Sequence, residues 1–355
     1  MPERQADQPS LLAEVSERIR RDGPMPVDSY MEACLRHYYR SRQSIGAGGD
    51  FVTAPEISQV FGELIGLWCA VVWESMGRPE PLRLIELGPG RGALMADAVR
   101  AGRALPGFLN AIAVHLVETS PLLRQAQQAA LARAGVPLAW HEAVEEVPAG
   151  AAIVIANELI DALPIRQLVY LDGAWHERVV ALGTDGQLQF AAGPSVAFSG
   201  SVAPTPGAIA ELRPGEEAVL AALAARTEPL IALFIDYGPV EPALGDTLQA
   251  VRGHAYAEPL AAPGLSDLTA HVQFTALAEK ARVAGLAADG PMTQAQFLGG
   301  LGIVERTARL MAANPVRAGE IEAATQRLMS PGGMGQLFKV LAVRSPHLPA
   351  PPPFG

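Results

Sequence analysis

Several short apolar runs in this chain end in polar groups of the kind that meet a ligand. Leu82–Leu87 carries Glu86 and passes at once into Gly88-Pro89-Gly90-Arg91-Gly92, after which 93–100 reads as a helix. A strand, a glycine-rich turn and a helix together make a unit that cradles a nucleotide-like ligand. The glycines let backbone approach the ligand with no Cβ in the way, and the helix start offers free N–H groups. The run 114–117 ends at Glu118-Thr119, where a carboxylate can accept from both hydroxyls of a ribose. The run 138–140 ends in Trp140 near His141 and Glu142, and an aromatic there can stack on adenine. The run 151–156 ends at Asn157-Glu158, with Asp161 just beyond, and 230–236 ends at Asp236-Tyr237-Gly238. Each group also has a structural reading: Asn157 and Asp161 can cap the turn that follows them. Their joint placement at successive strand ends favours a site, because open α/β sheets bind ligands there. The glycine spacing narrows the ligand. A dinucleotide fingerprint places its last glycine three residues after its second, whereas Gly92 follows Gly90 by two and Glu86 precedes Gly88 by two. No G-x-x-x-x-G-K-[ST] loop occurs, which argues against a phosphoryl-transfer NTPase.

The elements that must hold these groups follow from periodicity. The stretch 11–21 fits an amphipathic helix broken by Gly23-Pro24, and Asp28 can cap a second helix over 29–39. Residues 41–49 read as a loop. Thr53-Ala54-Pro55-Glu56 then opens a helix expected to run to Met76, with Thr53 and Glu56 forming a capping box. From Pro81 onward apolar strands alternate with helices, which predicts an α/β, mostly parallel, doubly wound sheet. Residues 167–182 read as a hairpin around Asp172-Gly173 that continues through 187–191. Residues 212–225 read as a helix and 238–267 as irregular, Gly/Pro-rich chain. Helices are expected over 274–286 and 293–312, a late strand over 336–343, and a disordered proline-rich tail over 346–355. The organisation expected is an N-terminal helical and lid segment over 1–79 and a catalytic core over 80–345. That core carries insertions at about 165–228 and 238–272 that shape a substrate pocket over one edge of the sheet.

Composition limits the partners. A formal charge of −10 argues against nucleic acid and suits a cationic substrate. Cys34 and Cys69 stand alone in apolar helical patterns and read as buried thiols of a reducing compartment. No Cys/His spacing fits a metal, so no metal is expected. The first ten residues are polar and lack an apolar core for export, so a cytoplasmic location is expected. The most apolar run, 60–73, is short and carries Glu63, so it reads as a buried helix face with no membrane insertion. A homodimer is left open.

The E-x-G-x-G-x-G pattern of Glu86, Gly88, Gly90 and Gly92 resembles motif I of class I S-adenosylmethionine (SAM) methyltransferases. The wider chain resembles one family of them, the MidA methyltransferases. The resemblance is carried by Gly49-Asp50-Phe51-Val52-Thr53-Ala54-Pro55-Glu56-Ile57-Ser58-Gln59-Val60-Phe61-Gly62-Glu63, by Glu86 to Gly92, and by His115-Leu116-Val117-Glu118. It continues through Asn157-Glu158-Leu159-Ile160-Asp161-Ala162-Leu163-Pro164, Ile235-Asp236-Tyr237-Gly238 and Asp267-Leu268-Thr269-Ala270-His271-Val272, and ends with Met334-Gly335-Gln336-Leu337-Phe338-Lys339-Val340. It spans roughly residues 10 to 343. The family implies SAM as methyl donor and S-adenosylhomocysteine as product, with Glu86, Gly88, Pro89, Gly90, Gly92, Glu118, Thr119 and Asn157 as the cofactor set. Its mitochondrial members symmetrically dimethylate an arginine of a core subunit of respiratory complex I. For a guanidinium acceptor, Glu158 and Asp161 are the best-placed acids, with Asp236 next and His254 or His271 as candidate bases. By analogy with other class I enzymes, Asp50, Phe51, Thr53, Pro55, Glu56 and Ser58 are expected to line a lid. The chain shows no mitochondrial transit peptide, which departs from the mitochondrial members and suggests a bacterial one. Competing readings are a methyltransferase for a small molecule or peptide, a non-catalytic assembly factor and, last, a dinucleotide oxidoreductase.

Overall fold

The computed structural model describes residues 10–41, 53–200, 202–253 and 255–355. Among these, the chain divides into two compact units. The first contains 10–41, most of 162–215 and most of 243–270. Its helices α1 (Leu11–Asp22) and α2 (Val27–Ser41) bury Val15, Ile19, Met31 and Leu35 in one cluster with Val180, Leu248 and Leu268. Ser10 caps α1 by accepting from the Ala13 N–H. The hairpin of Arg166–Leu171 and Ala174–Leu182 turns at Asp172-Gly173, as the dipeptide predicts, and pairs onward with Ile209–Leu212 and Leu188–Val196. The chain read as irregular over 238–267 contains strands at Gln249–Arg252 and Ala255–Ala257, which join Asp267–Thr269 in a three-stranded sheet.

The second unit is built on a seven-stranded sheet. In chain order its strands are β1 (Leu82–Leu87), β2 (Ile112–Val117), β3 (Leu138–His141), β4 (Ala152–Asn157), β5 (Leu230–Tyr237), β6 (Ala287–Thr293) and β7 (Phe338–Arg344). In space they run β6-β7-β5-β4-β1-β2-β3. Strands β1 to β5 are parallel, and β7 is antiparallel to both β5 and β6. This is the doubly wound arrangement expected. The strand order reverses between β1 and β4, so a crevice opens at their carboxyl ends.

Helices α3 (Ala54–Ile57), α4 (Gln59–Ser75), α5 (Ala93–Gly102) and α6 (Pro121–Ala130) belong to this unit. Phe61, Ile65, Trp68 and Val72 of α4 join one core with Leu84, Val114, Ile153 and Ile155 of the sheet. Each such side chain stabilises the fold by about 1.5–3 kcal/mol on burial. Helices α4 and α5 touch backbone to backbone at Gly66, where a Cβ would lie 2.3 Å from the Ala98 carbonyl oxygen. Buried Glu63 bonds Arg100 and Arg306 (2.7 Å); burial opposes its charge, but the two guanidinium groups hold its pKa below the ordinary value. The compact units group 10–41 with most of 162–215 and 243–270, while 53–79, with α4 packed on the sheet, falls in the same unit as the sheet.

Three expectations are corrected. The helix predicted from Thr53 to Met76 is two helices, because Ser58 is extended (φ −150°) and its hydroxyl accepts from the Val60 N–H at 3.2 Å as the cap of α4. The Thr53 side chain makes no cap bond, so the Thr53/Glu56 capping box does not form. The tail is ordered: Trp68 Nε1 donates to the Pro352 carbonyl at 2.6 Å, Phe354 packs on Phe297 and Pro351 is buried. Proline gives such a segment little chain entropy to lose on docking. Cys34 and Cys69 are buried and form no disulfide. No helix among the described residues is long and apolar enough to cross a membrane.

Candidate active site

The site grows from the carboxyl end of β1. Glu86 is 3% exposed, and its Oε2 has no partner in the protein. Burial raises its pKa to about 8. The turn that follows is left-handed at all three glycines, with φ of 64° at Gly88, 52° at Gly90 and 84° at Gly92. A side chain would be strained at each. It would also collide at Gly88, whose Cβ would lie 2.8 Å from Leu159 Cδ1. Pro89 accepts from the Gly92 N–H at 2.8 Å and closes the turn. No side chain caps α5, so its first turn keeps backbone donors for a ligand.

Glu118 lies one residue past β2 and is buried. Its Oε1 accepts from the Ser120 N–H at 2.8 Å and its Oε2 from Gln127 Nε2 at 3.2 Å, while the Thr119 backbone also donates to it. Burial raises its pKa despite these donors. A carboxylate has about four lone-pair sites, so room remains for a ribose hydroxyl. Thr119 serves here through its backbone. Trp140 on β3 is partly buried, and its indole N–H donates to Gln127 Oε1 at 2.9 Å. Arg124 on α6 joins the ends of β2 and β3 by donating to the Glu118 and His141 carbonyls at 2.7 and 2.9 Å.

Asn157 ends β4, next to β1, on the sheet face shared by Glu86. Its Nδ2 donates to Glu158 Oε1 at 3.2 Å, and its buried Oδ1 has no partner. Two orphaned buried acceptors, Glu86 Oε2 and Asn157 Oδ1, thus face the same side of adjacent strand ends beside a glycine cradle. A buried acceptor left unmade costs about 1–3 kcal/mol, so these atoms fit a ligand that brings donors, such as an amino-acid ammonium. This donor-and-acceptor set fits SAM.

The candidate acceptor side starts at the next residue. Glu158 is not glycine, yet its φ is +52°. Its Oε1 accepts from the Ala54 N–H at 3.0 Å, so a side chain at the end of β4 caps α3, where Thr53 does not. Burial of the carboxyl, with the charge of Asp161 adding to it, raises the Glu158 pKa to about 7. Asp236 on β5 is 1% exposed and accepts three backbone N–H groups: Ile160 at 2.9 Å, Asp161 at 3.2 Å and Tyr237 at 2.9 Å. Burial, with Asp161 nearby, drives its pKa well up. His271 packs edge-on against Tyr237, 5.4 Å between centroids, and Tyr237 packs on Phe338. Thr53, Pro55 and Glu56 are half-buried in and before α3, and Ser58 is committed to capping α4. Asp50, Phe51 and His254 lie outside the described residues.

Gln127, Ser120, Arg124 and the Ala54 N–H bond directly to these candidate groups and were not among the candidates. The sequence holds a signal for Gln127: it sits four residues after Leu123 and four before Leu131, on the buried stripe of an otherwise amphipathic helix.

Comparison with known proteins shows the family and the fold. Residues 64–292 match a family model described as "Putative S-adenosyl-L-methionine-dependent methyltransferase". The chain is 34% identical over 367 residues to the mitochondrial protein arginine methyltransferase NDUFAF7 of Danio rerio, covering 94% of this chain and 86% of that protein. The Drosophila melanogaster homolog is 35% identical over 375 residues, covering 94% and 84%. A crystal structure of a superfamily member from Burkholderia thailandensis, bound to S-adenosyl-homocysteine, superposes with a TM-score of 0.83 at 29% identity, covering 94% of this chain and 91% of that one. These findings bear out the resemblance, the fold and the cofactor expected. They overturn one expectation, the cytoplasmic location, since the curated relatives are named mitochondrial. The chain belongs to this family of S-adenosyl-L-methionine-dependent methyltransferases.

Proposed function

We propose that the enzyme methylates an arginine side chain of a protein, a subunit of respiratory complex I, with Glu158 and Asp161 receiving the guanidinium. The observation that carries this reading is the pair of acids on the turn after β4, beside the cofactor cradle, in a chain whose relatives are named protein arginine methyltransferases.

SAM, when bound, supplies a methyl group already activated on a sulfonium. The protein's part is placement. The glycine turn, Glu86 and Asn157 hold the amino-acid end of the cofactor, and Glu118 holds its ribose. Glu158 and Asp161 orient the guanidinium through charge-assisted hydrogen bonds, which fixes one nitrogen in line with the methyl. That nitrogen sheds a proton as its new bond to carbon forms. Glu158, with a pKa of about 7, is suited to take it on its carboxylate. Asp236 holds the 158–161 turn by its backbone and acts through it. Residues 53–58 cover the turn as a lid whose near end is tied down by Glu158.

The test is incorporation of labelled methyl from SAM into a lysate of cells lacking the enzyme, followed by mass spectrometry. Label on a protein arginine is expected. Label on a small molecule, or on another residue type, would overturn the acceptor assignment.

A further inference from the structure

Gln127 is fully buried on α6. Its amide nitrogen donates to the Gly90 carbonyl at 2.7 Å and to Glu118 Oε2 at 3.2 Å, and its amide oxygen accepts from Trp140 Nε1 at 2.9 Å. These three partners stand at the ends of three different strands, β1, β2 and β3. Both amide hydrogens are used, and the orientation is fixed, since only the oxygen can accept from an indole and only the nitrogen can donate to a carbonyl and a carboxylate. No other side chain of this length carries two donors and one acceptor on one planar head. A glutamate would present acceptors to the Gly90 carbonyl and the Glu118 carboxylate, and a methionine would remove all three bonds. The helix and the turn also meet closely, for a Cβ at Gly92 would lie 3.3 Å from Gln127 Cα.

We propose that Gln127 is a positioning residue that couples three parts of the SAM site: the glycine turn, the Glu118 carboxylate and the Trp140 indole. Anchoring the Gly90 carbonyl fixes the plane of the peptide that follows, so the Arg91 N–H points away from Gln127. Anchoring Glu118 Oε2 leaves the rest of that carboxylate aimed by its neighbours at a hydroxyl pair. Anchoring Trp140 sets the wall behind the base. The bland alternative is a buried glutamine that is merely satisfied, with no consequence for the cofactor. This inference rests on the cofactor and not on arginine as acceptor, and its readout is cofactor affinity, so it can fail while the acceptor assignment stands.

The experiment measures S-adenosylhomocysteine binding by calorimetry, together with KM for SAM and kcat, in Gln127→Met, Gln127→Glu and Trp140→Phe, with melting curves as the check on folding. Losing the amide should weaken S-adenosylhomocysteine about tenfold in Q127M and further in Q127E, with KM for SAM rising in parallel and kcat falling less than about threefold. Adenosine lacks the amino-acid arm and should lose less affinity than S-adenosylhomocysteine. Trp140→Phe should cost about threefold in the wild-type background and nothing further in Q127M, because the partner of the indole is already gone. Unchanged binding in folded Q127M would overturn the proposal. Independent, multiplying losses in the double variant, or a fall in kcat at constant KM, would do the same. Should Q127M fail to fold, Trp140→Phe alone with unchanged affinity for S-adenosylhomocysteine would count against it.

Discussion

The proposed cofactor side and the proposed acceptor side, at the carboxyl ends of the strands, are built on opposite terms. At β1, the chain bends through left-handed conformations that glycine adopts freely, and the polar groups around it come from the ends of β1, β2 and β4. At β4, the chain makes a left-handed residue out of Glu158, which carries a Cβ and a buried carboxyl. That conformation costs on the order of 1–3 kcal/mol and persists only where neighbours over-determine it. The neighbours are visible: Asp236 fixes the backbone of Ile160 and Asp161, and Ala54, 104 residues away in sequence, holds the Glu158 carboxyl. The difference teaches which side is preformed and which is held under load. On the proposed cofactor side the backbone itself is unstrained, because glycine takes each left-handed position. On the proposed acceptor side, Glu158 and Asp236 are buried beside Asp161, and burial raises the pKa of both Glu158 and Asp236.

The comparison can be broken most forcefully at the cradle. Gly88→Val would place a Cβ against Leu159 in a left-handed residue, so S-adenosylhomocysteine affinity and methyl transfer should both fall by at least ~100-fold. Retained binding would show that the turn is not the cradle.

A smaller effect comes from pH. Glu86 has its pKa raised to about 8 and Glu158 to about 7, against an ordinary value of 4.5. For an acid, a raised folded pKa means that the folded state binds the proton more tightly than the unfolded chain. These two groups therefore favour the fold below about pH 4.5, and stability is lost as pH rises through 7 and 8. Glu86→Gln removes one such charge. Without cofactor it should melt a few degrees above the wild type at pH 8 and level with it near pH 4.5. A gain at low pH and none at high pH would reverse the assignment.

The smallest effect lies away from both sides. Trp68→Phe removes the hydrogen bond to Pro352 and should cost about 1 kcal/mol of stability, read by denaturant unfolding, with S-adenosylhomocysteine affinity unchanged. A loss of affinity would draw the tail into the site.

Much of the cofactor side was legible because its chemistry is local. Glu86, the glycines and Glu118 declare themselves by type, spacing and position after apolar runs. The acceptor side was legible only as residue types. Nothing in the sequence around Glu158 says that it caps a helix beginning at Ala54, since that contact exists only after the sheet has formed. Gln127 was hidden for a related reason, as a polar residue on a buried helical stripe whose three partners lie on other elements. Strand β6 was missed because Gly290-Pro291 sits inside it. It is an edge strand, with an irregularity in register between Asp289 and Met292, and edges tolerate proline as central strands do not. The tail was misread because composition alone says nothing of the Trp68 and Phe297 surfaces that receive it.

The most direct test of the division is Glu158→Gln, measured for S-adenosylhomocysteine affinity and for labelled-methyl incorporation on the same preparation. Glutamine can still accept from the Ala54 N–H and from Asn157 Nδ2, so it removes the charge and spares the geometry. The account predicts affinity within about twofold of the wild type and methyl incorporation reduced by about 100-fold. Affinity and incorporation falling together, or incorporation persisting at the wild-type rate, would contradict it.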